Sequence, residues 1–251
     1  MIKRLIRLFL NQRVPKSNND LINVLYSRKS CRSFNNKSVT KDIIDEVVKI
    51  GAQTPSTVNL QTWSFFPFTK EEWKEKFNNP IPFGAGAAII VCADLKRLEI
   101  IDTVFKNYPL FFYTIAVMNA SLSAMNMTIA IESMGMKSIM LSQTGRTGLC
   151  DVRYLKEKLD LPKLVFPITT LAFGYPKSDI LFSPPKLNTS VVSHNKNYHL
   201  DIEEVKKWFE DMNFVCKMID KEHLTEKFDK YLKLLPEAEE DLNAILEEIK
   251  N

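Results

Sequence analysis

The chain has 251 residues, enough for one large domain or two small ones, and 45% of them are hydrophobic, so it can bury a sizeable core. Its 34 Lys and Arg against 30 Asp and Glu leave a net charge of +4, which gives no reason to expect a nucleic-acid partner. Four cysteines without a CxxC pair, and only three histidines, argue against a zinc site or a redox dithiol and for a reducing, cytoplasmic setting.

Residues 1–16 hold Lys3, Arg4, Arg7, Arg13 and Lys16 and no acid, while Ile2, Leu5, Ile6 and Phe9 share one helical face. That pattern predicts a docked amphipathic helix, with a membrane-surface anchor as the alternative. A short helix follows over Asp20–Ser27, with Asp20 as its N-cap, and a longer one over Thr40–Ile50, capped by Thr40 and ended by Gly51. After the polar loop Gln53–Thr62, the aromatic run Trp63–Phe68 predicts a strand. Thr69–Phe77 is predicted as a helix with a Thr69–Glu72 capping box.

The wholly apolar run Ala87–Ala93 predicts a buried strand. Leu110–Ile131 carries no charge and is long enough to span a membrane, but its Thr114, Asn119, Ser121, Ser123, Asn126 and Thr128 are costly against lipid. It is predicted as a helix buried on nearly all sides, ended near Met134 by Gly135. Ser138–Leu141 and Ile168–Phe173 are further strands, and Asp151–Leu159 a helix. From Asp201 the pattern is helical, and Pro236 opens a last, acidic helix with Leu242, Ile245, Leu246 and Ile249 on one face. Strands in the middle with helices around them make a layered α+β or α/β domain.

Four stretches could carry chemistry. In Arg28-Lys29-Ser30-Cys31-Arg32, an extended backbone would put Arg28, Ser30 and Arg32 on one side, a donor set suited to phosphate, although a solvated basic loop has the same composition. Pro55-Ser56-Thr57-Val58-Asn59-Leu60-Gln61 offers hydroxyls and amides to the edge of a polar heterocycle, or makes an ordinary capped turn. Asn119 and Asn126, seven apart on one helix face, serve helix–helix hydrogen bonds or contact a cofactor or partner subunit. Lys186, after Pro184 and Pro185, is a lone cation in a loop.

Taken together and in this order, these stretches resemble the FMN-dependent nitroreductase family over residues 20–198. The family's Arg-x-Ser-x-Arg segment corresponds to Arg28, Ser30 and Arg32. Its Pro-Ser-x-x-Asn-x-Gln-Pro-Trp loop corresponds to Pro55, Ser56, Asn59, Gln61 and Trp63, with Thr62 for the second proline. Its helix Asn and Gly-Leu-Gly end correspond to Asn126 and Gly135-Met136-Lys137, and its Gly-x-Pro turn and late basic residue to Gly174, Pro176 and Lys186.

The resemblance implies a homodimeric three-layer α/β/α fold, class α+β, around a mixed, mostly antiparallel sheet. It implies three regions: a basic N-terminal helix (1–19), an FMN-binding domain (20–198) and a helical extension (199–251). FMN would be held at its phosphate by Arg28, Ser30, Arg32 and Lys186, with Lys29 near the ring. The backbone of Met140, Leu141, Ser142 and Gln143 would border the reactive ring nitrogen. Pro55, Ser56, Thr57 and Asn59, with Asn119, would reach the flavin of the partner subunit.

The implied activity is ping-pong hydride transfer from NADH or NADPH to a nitroaromatic, a quinone or a related electrophile. The cofactor carries the chemistry, so no nucleophile or metal is required of the protein. Phe111 and Phe112 would form the substrate wall, or else pack the core. Alternatives on the same fold are dehalogenation, dehydrogenation or flavin breakdown, or flavin binding without turnover.

Overall fold

The computed structural model describes residues 17–142, 151–178, 183–219, 221 and 223–251. The expected N-terminal helix and Gln143 lie outside the described residues. Among the described residues, four strands form one sheet: β1 (Trp63–Thr69), β2 (Ala87–Asp94), β3 (Lys137–Leu141) and β4 (Val165–Gly174), in the order β1-β2-β4-β3. All three pairings are antiparallel, with a register shift at Val91/Cys92. Among the described residues, the bridge Ser30–Ser138 supplies a parallel contact.

β2 and β4 lie inside the sheet and are buried along their whole length, which is why they are mostly apolar and show no polar alternation. Alternate residues of β2 serve different cores. Ala87, Ile89, Val91 and Ala93 face a core built with helices α2 (Lys41–Ala52) and α5 (Pro109–Ser133). Ala88, Ile90 and Cys92 face a second core with α3 (Lys70–Phe77) and α6 (Val152–Leu159). There Phe68, Trp73 and Phe77 pack edge-on or tilted at 4.4–5.6 Å, and Phe77 reaches Tyr154 at 6.5 Å. The result is three layers, helix–sheet–helix.

α1 (Asp20–Ser27) is capped by Asn19, whose side chain accepts from the Ile22 N–H at 3.2 Å; Asp20 is its first residue, not the cap. α2 runs on through Gly51 to Ala52. Gly51 is not a terminator. A Cβ there would stand 2.7 Å from Met127 Cγ, so glycine lets α2 approach α5. α3 carries the predicted capping box, Glu72 N–H to Thr69 Oγ1 at 3.2 Å and Thr69 N–H to Glu72 Oε2 at 2.7 Å. Two short helical turns, α4 (Leu98–Ile101) and Val104–Asn107, lead into α5. α5 has the length and hydropathy of a membrane span, yet half of that stretch is buried, and Gly135 (φ +77°) follows its end.

The described residues form two compact units, 17–178 with 236–251, and 183–235. The second holds α7 (Thr189–Val192), α8 (Ile202–Ile219) and α9 (Leu224–Leu232). Within it, Trp208 donates to the Pro185 carbonyl at 3.0 Å and the Leu224 N–H donates to Asn213 at 3.1 Å. The last helix, α10 (Leu235–Lys250), returns to the first unit from Pro236, burying Ile245 and Ile249 in the α5-side core. Its acids find partners there: Asp241 with Arg153 at 2.6 Å and Glu248 with Lys156 at 2.7 Å.

Candidate functional site

The chain leaves α1 at Arg28 in an extended conformation, φ −56° and ψ 126°. It then runs beside the sheet. Ser30 bridges Ser138 of β3, the Cys31 N–H donates to the Ser138 carbonyl at 2.9 Å, and Phe34 bridges Pro176 just past β4. Cys31 is fully buried in the α3-side core. By alternation, Ser30 and Arg32 point the other way, Ser30 half-buried and Arg32 exposed. Burial pushes the Cys31 thiol up, partly offset by its bond to the Ser33 carbonyl.

β3 links this segment to the stretch expected to border a flavin ring. Ser138 and Leu141 are three residues apart, about 10 Å along a strand. Met140 is exposed at the sheet edge and Leu141 is buried, its carbonyl accepting from Thr169 Oγ1 at 3.1 Å. Ser142 is exposed at the end of the strand. At the other end of β3, Lys137 pairs with the buried Glu132 at 2.7 Å.

The second cluster sits on the opposite edge of the sheet, just before β1. Residues 57–59 make a 3-10 turn in which Val58 (φ +50°) and Asn59 (φ +56°) are left-handed, as is Gln61 (φ +48°). A β-branched residue in that region stores strain that its surroundings must outweigh. Asn119 supplies the restraint. Its Oδ1 accepts from the Thr57 N–H at 3.2 Å and its Nδ2 donates to Thr62 Oγ1 at 2.9 Å. Ser56 Oγ accepts from the Gln61 N–H at 3.0 Å. Pro55 is exposed and precedes the turn. Further along α5, Ser123 donates to the Gly51 carbonyl at 2.8 Å, and Asn126 to Ile50 and Thr54 at 3.1 Å each. The predicted Asn face is therefore a hydrogen-bonding row for the end of α2 and this loop.

Thr57, Phe111 and Phe112, with Val58, Leu60, Ile101 and Val104, line a cavity of about 330 Å³. Phe111 is 60% exposed and stands edge-on to Phe112, which stands edge-on to the buried Phe105. Leu98, Ile101 and Val104 were not among the predicted wall residues; their helical spacing is that of core packing, yet Ile101 is 75% exposed. Lys29 is half-buried at the junction of α1 and the extended segment, and Lys186 is exposed in the second unit, after the Pro185 that Trp208 anchors.

The model of the nitroreductase family matches residues 25–81, which contain both clusters. The fold agrees with it along most of the chain. A Bacillus subtilis protein solved as "NfrA1 nitroreductase" superposes with a TM-score of 0.73 over 92% of this chain and 98% of its own, at 22% identity. Over residues 25–81 the chain is similar to the nitroreductase family. Its curated relatives include the "FMN reductase (NADPH)" of Bacillus subtilis, 26% identical over 75% of this chain and 78% of that protein. A structure of the Vibrio harveyi NADPH:FMN oxidoreductase complexed with NAD+ has a TM-score of 0.69, at 20% identity, over 90% of this chain and 98% of its own. The two matched clusters thus fall on opposite edges of one sheet, separated by four strand spacings, about 19 Å, because Ser30 bridges the outer side of β3.

Proposed function

We infer that this protein is an FMN-dependent oxidoreductase of the nitroreductase type that takes reducing equivalents from NADPH or NADH and delivers them to a nitroaromatic, quinone or similar electrophile. The observation that carries this reading is the run of Arg28, Ser30 and Arg32 laid along β3, with Ser30 bridged to Ser138 and Met140–Ser142 continuing the same strand. The donor set suits a phosphate: forked guanidinium groups and a hydroxyl on alternate positions of an extended backbone. FMN, when bound, supplies the hydride chemistry.

The residues divide the remaining work. Arg28, Ser30 and Arg32 hold the phosphate, with Lys29 toward the ring. The backbone at Met140, Leu141 and Ser142 borders the ring. Phe111 and Phe112 exclude water on the substrate side and offer a flat apolar surface to an aromatic acceptor. The nicotinamide and the acceptor use that place in turn, so the kinetics are ping-pong.

A homodimer completes the site. α5 presents a stripe of exposed apolar side chains, Phe111, Met118, Leu122 and Met125, which favours a second copy as partner. Pro55, Ser56, Thr57 and Asn59 then serve the flavin of that copy, with Asn119 acting through the loop it restrains. The free thiols of Cys31, Cys92 and Cys216 favour a cytoplasmic setting. The test is Arg28→Ala. Loss of a charge-assisted phosphate contact weakens FMN binding by about 10- to 100-fold. Retention of full flavin occupancy through dialysis with unchanged affinity removes the phosphate assignment.

A further inference from the structure

Glu132 stands where a carboxylate is least expected. It lies in the last turn of α5, where the helix dipole disfavours an acid, and its side chain is only 1% exposed. Such a group needs partners, and β3 supplies both. Lys137 Nζ donates to Oε2 at 2.7 Å and Ser138 Oγ donates to Oε1 at 3.2 Å. Ser138 is also the residue whose carbonyl accepts the Cys31 N–H at 2.9 Å and whose backbone bridges Ser30. One residue is thus held through its side chain by Glu132 and through its backbone by the cationic segment.

We propose that Glu132 is a positioning residue for the cofactor. It fixes the start of β3, and with it the register between the phosphate-binding donors at 28–32 and the ring-bordering stretch Met140–Ser142. The proposal rests on the FMN reading for its consequence, but not for its geometry. Lys137 is the ion-pair partner that holds the buried side chain, and its own ammonium group is engaged by Glu132.

Two measurements on Glu132→Gln test this. Amide hydrogen exchange at Cys31 should quicken by about tenfold while exchange in β2 stays unchanged. FMN affinity should fall by about tenfold, with an altered visible circular dichroism of the bound flavin. Lys137→Met, at the more exposed partner, gives the same direction should the first variant not fold. Unchanged Cys31 exchange in the folded variants overturns the proposal, as does quickened exchange with wild-type FMN affinity and an unaltered flavin spectrum. A wild-type protein that takes up no flavin, with Cys31 exchange still raised in Glu132→Gln, overturns the FMN reading and leaves Glu132 as the anchor of the segment.

Discussion

Asn119 connects buried chemistry to the exposed loop. It is 1% exposed and uses its amide oxygen on Thr57 and its amide nitrogen on Thr62. Asn119→Ala leaves the Thr57 N–H and the Thr62 hydroxyl without that partner and releases the strained Val58 turn. The expected cost is about 1–3 kcal/mol, read as a lower urea midpoint, together with a rise in KM for the electrophile. Wild-type stability and KM would show that the loop holds itself. Tyr113, on the same helix, has its hydroxyl pushed up to about 12 by burial. Below about pH 10 both folded and unfolded chains keep that proton. Above it the unfolded chain releases the proton and the folded one retains it, so stability falls as pH rises from about 10 to about 12. Tyr113→Phe should flatten that fall in melting curves; an unchanged slope would assign it elsewhere. The Asn119–Asn126 spacing announced a polar helix face, but which segment it would bind was not legible, because a spacing names a face and not its neighbour.

At the scale of elements, apolar runs and caps carried most of the information. Ala87–Ala93 could only be an interior strand, and Thr69 with Glu72 could only open a helix. Local chemistry failed where a neighbour decided the outcome. Gly51 has the composition of a helix end, yet it sits inside α2 because Met127 and Ser123 press against it. The acidic last helix likewise becomes intelligible only against α6 and the turn before β4. Glu248 pairs with Lys156 and also accepts the Leu164 N–H at 2.6 Å, in a partly buried setting where a carboxylate is worth more than at the surface. Glu248→Gln should cost about 1–3 kcal/mol. The melting temperature should drop by about 2–4 °C per kcal/mol in a chain of this size. A melting temperature equal to wild type would make the pair a surface contact of no consequence.

At the scale of the whole molecule, the sheet order β1-β2-β4-β3 was beyond the reach of periodicity, and with it the separation of the two nitroreductase-like motifs. Residues close in sequence, Arg28–Arg32 and Pro55–Asn59, end on opposite sheet edges; residues far apart, Ser30 and Ser138, become neighbours. This separation is the physical reason for proposing a shared site: each copy holds one flavin by its β3 edge and lends its β1-edge loop to the other. The absorption spectrum of the purified protein during anaerobic addition of NADPH, then NADH, then a quinone tests this account at its centre. A yellow protein whose visible flavin band bleaches with at least one nucleotide and returns with the quinone is the expected result. A colourless protein that takes up no added FMN, or a flavin band that neither nucleotide bleaches, would contradict it.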